Sequence, residues 1–165
     1  YDLSQCAIPW DHLDIEYIAL PRRWEIVDIA KFMCFIGPIS SIFDYSTWAV
    51  MWWYFNIQGN TTDNITQFQT AWFIEGLITQ LLIVHIIRTH KIPFIQSRAS
   101  WPMYLSTLLC VIVGLSLPYI PIISHAVPFI PVPSLFYPFL LLFIFSYIVL
   151  TQILKTLYYK CFGLK

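Results

Sequence analysis

Apolar residues in this chain gather into four long runs, at 32–55, 68–87, 101–123 and 135–154, separated by short polar, charged or proline-rich stretches. A bilayer core about 30 Å thick is crossed by roughly 20 apolar residues in helical form, and each run supplies that length. Backbone groups find no water in lipid, so each run is expected to be helical where it crosses. A shorter apolar patch at 1–10 ends at the acids Asp11, Asp14 and Glu16 and reads as the end of a further membrane helix. The predicted fold is therefore all-α, a polytopic transmembrane helix bundle of four full spans plus the end of a fifth. Residues 11–31 form a connecting loop, in which Pro21 suits a helix start and Arg22/Glu25 and Asp28/Lys31 have i, i+3 spacing. That loop is expected to hold an interfacial helix, and 32–165 to be the four-span domain.

Trp and Tyr favour the headgroup level, so they mark the edges of the spans. Trp52, Trp53 and Tyr54 are expected at the outer end of the first span, Trp72 at the outer end of the second, Trp101 and Tyr104 at the inner end of the third, and Tyr158 and Tyr159 at the inner end of the fourth. Residues 56–67 read as a polar, flexible connection. Residues 118–138 carry six of the eleven prolines and read as a stiff apolar turn.

Charge placement orients the bundle. Arg22, Arg23 and Lys31 precede the first span, Arg88, Lys91 and Arg98 lie between the second and third, and Lys155, Lys160 and Lys165 close the chain. The other two connections hold no Lys or Arg, so one alternating threading puts every basic residue in the cytoplasm, together with the C-terminus. At 58% hydrophobic and 11% charged, the chain has too little polar surface to cover a soluble globule of its size. The cations sit beside apolar spans rather than among exposed aromatics, which argues against a nucleic-acid partner. Cys6, Cys34, Cys110 and Cys161 have no metal-type spacing, and no structural disulfide is expected. The opening at Tyr1, without a basic start or a cleavage site, reads as an excised piece.

Two acids lie inside the four runs, Asp44 and Glu75. Ionisable side chains at that depth are expensive and mark function by default. Asp44 follows Lys31 by thirteen residues and Glu75 precedes Arg88 by thirteen, which puts both about 20 Å from the basic flank, in one layer. Ser40, Ser41 and Thr47 share the Asp44 face at helical spacing, with Gly37-Pro38 a turn earlier offering close helix approach. Glu75 has Gly76 beside it and Thr79 at i+4. The plainer reading is a neutral Asp44 bonded to Ser40, Ser41 or a facing carbonyl. His85 reads as a surface residue near the interface, and Gln80, Thr151 and Gln152 as interhelical hydrogen-bond partners. Asp2 lies about 12 Å deep if its helix leaves the membrane near Trp10.

The stretches YDLSQCAIPWDHLD (1–14), KFMCFIGPISSIFD (31–44), WFIEGL (72–77) and HIIRTHKIPFIQSRAS (85–100) resemble the C-terminal membrane region of bacterial magnesium-transporting P-type ATPases. The likeness follows the family's order over the whole chain, strongly in those blocks and mainly as hydrophobicity in the last two spans. It implies that 1–10 ends the sixth membrane helix and that the four spans are the seventh to tenth, in a multi-pass inner-membrane pump with a cytoplasmic C-terminus. It further implies that Asp2 is a cation ligand, that Glu75 is an acid near the ion site, and that Asp44 belongs to the pattern without an assigned ligand role. Mg²⁺ would be the transported ion, driven inward by ATP hydrolysis through an aspartyl-phosphate. Mg²⁺ takes oxygen ligands and keeps several waters, which one or two carboxylates suit. The DKTGT and TGE motifs and the nucleotide domain do not occur here, so no catalytic residue is expected. The chain would work with the bilayer and with the pump's other helices and cytoplasmic domains. A purely structural membrane module, and a small channel or proton-coupled carrier using Asp44 and Glu75, stand as alternatives.

Overall fold

In a computed structural model, residues 2–12, 25–89, 91–121 and 127–162 are described, and each structural statement concerns those residues. A short helix α1 (Asp2–Gln5) runs into a 3-10 turn at Ile8–Trp10, with Pro9 at its start. Helix α2 spans Ile26–Ala49 and continues as a π-helical turn, Val50–Tyr54. Helix α3 spans Thr62–Ile87, α4 spans Trp101–Ser116 with a 3-10 turn at Leu117–Tyr119, and α5 spans Phe136–Phe162. Four of these are long and apolar enough to cross a membrane, Ile26–Tyr54, Thr62–Ile87, Trp101–Tyr119 and Phe136–Phe162. The molecule is thus an all-α bundle and a multi-pass membrane protein.

Three helices outrun the apolar stretches that announce them. α3 begins at Thr62 because Thr61, in extended backbone, accepts a hydrogen bond from the Asn64 amide at 3.2 Å and so caps the helix. Half of the expected flexible connection is therefore helical. α2 begins at Ile26 with Asp28 in its first turn, where the helix dipole favours an acid, and Lys31 pairs with Asp28 at 3.2 Å as its spacing predicts. α5 runs on to Phe162, past the end of its apolar run, with Lys160 in its last turn where the helix dipole favours a cation. The part of the interfacial helix at 13–24, with Pro21 and the Arg22/Glu25 pair, lies outside the described residues.

α2, α3 and α5 build the main core. Toward one end Met51, Ile74, Ile78, Phe136 and Leu140 pack together, and toward the other Ile36, Ile39, Phe43, Ile86 and Tyr147. Helix α4 lies against α3 and α1, where Ala7, Ala99 and Met103 are buried with Val84 and Tyr104 beside them. Gly114 permits this approach, because a Cβ there would run into Leu77 Cδ2. Gly37 has no such role, for no atom stands within 4 Å of where its Cβ would be. The apolar turn packs onto α3, with Gln67 Nε2 donating to the Pro131 carbonyl at 2.8 Å and the Ile130 amide donating to Thr70 Oγ1 at 3.3 Å.

The basic end of the bundle is tied across all five helices. Tyr158 donates to the Asp28 carbonyl at 3.2 Å, joining the end of α5 to the start of α2. Lys155, fully buried, donates to the carbonyls of Ile86 (3.0 Å), Thr89 (3.2 Å) and Lys91 (3.1 Å), where α3 ends. Arg88 Nε donates to Asp11 Oδ2 at 2.6 Å, and its other nitrogens reach the His12 and Arg98 carbonyls and Ser97 Oγ. The described cations Lys31, Arg88, Lys91, Arg98, Lys155 and Lys160 accordingly share one end, as the alternating threading requires.

Candidate functional site

Helix geometry alone brings the two deep acids together. α2 and α3 are antiparallel neighbours, and Asp44 and Glu75 come from the same level of each. Glu75 is 1% exposed, and its carboxylate oxygens are buried beside the Asp44 carboxyl and the Thr79 side chain without a donor in good hydrogen-bond geometry. The charged neighbour that acts on it is the Asp44 carboxyl. A carboxylate buried without a donor is costly unless a cation or a proton offsets it, so this pair is chemically suited to taking up positive charge.

Asp44 itself is half-buried and accepts a hydrogen bond from Trp72 Nε1 at 2.7 Å, across from α3. The expected local partners, Ser40 and Ser41, are exposed on the bundle surface instead. Trp72, expected at the outer end of its span, makes this bond from within the helix. It lies ten residues inside α3, about 15 Å from the helix start. Asp44 and Trp72 both line two recesses on the open face of the bundle. One, of about 790 Å³, runs between α3 and α4 past Gly76, Gln80 and Cys110, and the other, of about 330 Å³, is walled by Ser41, Tyr45, Trp48 and Phe68.

Asp2 sits apart from this pair. It is exposed in the first turn of α1, and among the described residues no three His, Cys, Asp or Glu side chains gather closely enough to hold a metal ion. Leu3, its neighbour, does reach the larger recess.

Other readings change with the structure. His85 is buried rather than at the surface, with Nε2 2.9 Å from Thr107 Oγ1 and its ring stacked on Tyr104 at 5.5 Å. Thr151 Oγ1 and Gln152 Oε1 are buried with no hydrogen-bond partner, so they do not join helices as expected. Gln80 is exposed on the larger recess. Cys6, Cys34, Cys110 and Cys161 are free thiols.

The charged cluster at the basic end is structural. Asp11 and Arg88 side chains are 6% and 8% exposed, and Asp11 Oδ1 also accepts from the Ser100 amide at 2.7 Å. Burial pushes the Asp11 carboxyl up, but the Arg88 hydrogen bond, the Ser100 amide and the Arg88 charge together outweigh it and hold the group below its usual range. The sequence offered no sign of this pairing, because its partners are 77 residues apart.

Comparison with known proteins agrees with the geometry. The family model described as "Cation transporting ATPase, C-terminus" matches residues 20–157. A protein named "Magnesium-transporting ATPase, P-type 1" from Salmonella typhimurium is 47% identical over 163 residues, covering 99% of this chain and 18% of the relative. Its namesake in Escherichia coli K12 is 46% identical over the same extent. The chain thus spans under a fifth of the length of these relatives. With four membrane-length helices, two facing acids and a family match over most of its length, this chain belongs to the family of cation-transporting ATPase C-terminal regions.

Proposed function

We propose that the chain is the membrane-embedded C-terminal part of an ATP-driven pump that imports Mg²⁺, and that it supplies part of the ion path together with helices that brace it. The observation that carries this reading is the Glu75 carboxyl, buried beside that of Asp44 without a donor in good hydrogen-bond geometry. Two carboxyls supply oxygen ligands and negative charge, which suits a hard divalent cation that keeps much of its water. Asp2 is the third proposed ligand, on the strength of its place in the YD stretch. The relatives' name supports Mg²⁺ as the cargo. ATP would be bound and hydrolysed by cytoplasmic domains outside this chain, in an inner-membrane protein with its basic end and C-terminus in the cytoplasm.

The test uses the full-length pump. Glu75→Gln, Asp44→Asn and Asp2→Asn should each lower Mg²⁺-stimulated ATPase activity and Mg²⁺ uptake, with Glu75→Gln the most severe. Wild-type uptake by the Glu75 and Asp2 variants would remove both from the path. A lowered detergent stability with unchanged cation affinity would leave only the bracing role.

A further inference from the structure

We propose that Trp72 is a positioning residue for cation uptake, acting through Asp44; this rests on the reading that Asp44 and Glu75 line the ion path. The indole Nε1 donates to Asp44 Oδ1 at 2.7 Å from the facing helix, while Ser40 one turn away on α2 is exposed and Ser41 stands on the wall of the smaller recess. An aspartate has few bonds of its own to lock, yet its two oxygens swing widely about the helix unless something holds them. The indole holds one of them.

The kind of donor matters. Lysine or arginine in this place would neutralise the carboxylate and compete with a cation, and histidine would make the contact depend on its own protonation. An indole N–H is neutral, donates only, and does not titrate in the physiological range. It therefore fixes the direction of the Asp44 carboxylate while leaving its charge available. The Asp44 carboxyl so held lies beside the buried Glu75 carboxyl, one turn along α3 from the Trp72 ring, so the two acids together present the oxygens a cation would meet. Because Asp44 and Trp72 line both recesses, the bond also stands where the two adjoin, so a cation reaching either recess meets a carboxylate already aimed. A hydrogen bond to a charged group of this kind corresponds to about tenfold or more in an equilibrium constant.

The experiment compares Trp72→Phe, Asp44→Asn and Glu75→Gln in the full-length pump, measuring the Mg²⁺ dependence of ATP hydrolysis and the thermal midpoint in detergent. Trp72→Phe keeps an aromatic ring and removes the donor. It should raise KM for Mg²⁺ about tenfold with kcat held within about twofold. Replacing Trp72 with its benzothiophene analogue, in which sulfur stands for the N–H in a nearly unchanged shape, should raise KM equally while leaving the thermal midpoint at the wild-type value. A wild-type KM in the analogue overturns the proposal and leaves the indole as a strut between helices. If Asp44→Asn and Glu75→Gln raise KM while the analogue does not, positioning fails and the ion-path reading stands. If those two acid variants keep a wild-type KM, the ion-path reading fails first and takes the positioning role with it.

Discussion

Lys155 Nζ lies 3.0 Å from the carbonyl oxygen of Ile86, and the ammonium is buried at the C-terminal end of α3. Its further bonds to the Thr89 and Lys91 carbonyls place a positive charge where the helix dipole is negative and where carbonyls have no partner within the helix. Lys155→Met should destabilise the full-length protein by about 2–4 kcal/mol, since it keeps the stem and leaves several buried carbonyls without a donor. A thermal midpoint in detergent equal to wild type would show that these bonds contribute nothing net.

Arg88→Leu should be costlier, because it strands the Asp11 carboxylate in a site 6% exposed. Breaking a buried pair from one side costs about 3–5 kcal/mol. The penalty has a pH signature. The folded Asp11 carboxyl sits below its ordinary value, so its pairing contributes stability above the unfolded carboxylate pKa of about 4 and loses it as pH falls through the folded value. Wild type and Asp11→Asn should thus differ most near neutral pH and converge in acid, as read from unfolding midpoints between pH 3 and 7; a gap that widened in acid would contradict the sign.

Thr151→Val should be nearly neutral, within about 0.5 kcal/mol, or mildly stabilising. The Thr151 hydroxyl is buried and has no hydrogen-bond partner, so removing it relieves desolvation without breaking a contact. A loss above about 1 kcal/mol would mean that the hydroxyl is bonded after all.

Gly114→Leu should separate α4 from α3. Even a Cβ at this position meets Leu77 Cδ2, the movable end of a side chain, so Gly114→Ala is expected to be absorbed by a Leu77 rotamer change. A full isobutyl group cannot be, and overpacking of this kind costs about 1–3 kcal/mol. Equal thermal midpoints for the Ala and Leu variants would refute the close approach.

Hydropathy and charge made the bundle, its four crossings and its common basic end legible, because both depend on composition over long windows. Asp44 and Glu75 could be placed at one level by counting from Lys31 and Arg88, since helical rise is constant. What counting could not supply was the partner of Asp44. Local i−3 and i−4 spacing pointed to Ser40 and Ser41, whereas the donor is an indole 28 residues away on another helix. Lys155 misled in a related way. A lysine at the end of an apolar run reads as a flanking cation, and nothing in the run reveals that the carbonyls of α3 arrive beside it. His85 and the Asp11–Arg88 pair were equally hidden, because the groups that close over them, Phe94, Ser97 and Ser100, come from the connection that precedes α4.

The anchoring of α1 has a mechanical consequence. Ser106 Oγ of α4 donates to the Ser4 carbonyl, while Asp11 binds both Arg88 at the foot of α3 and the Ser100 amide at the foot of α4. A pull or twist applied to α1 is therefore delivered to the α3–α4 hairpin at two heights at once. Such a two-point linkage resists pivoting, so displacement of α1 would drag the hairpin bearing Glu75 as a rigid lever rather than slip past it.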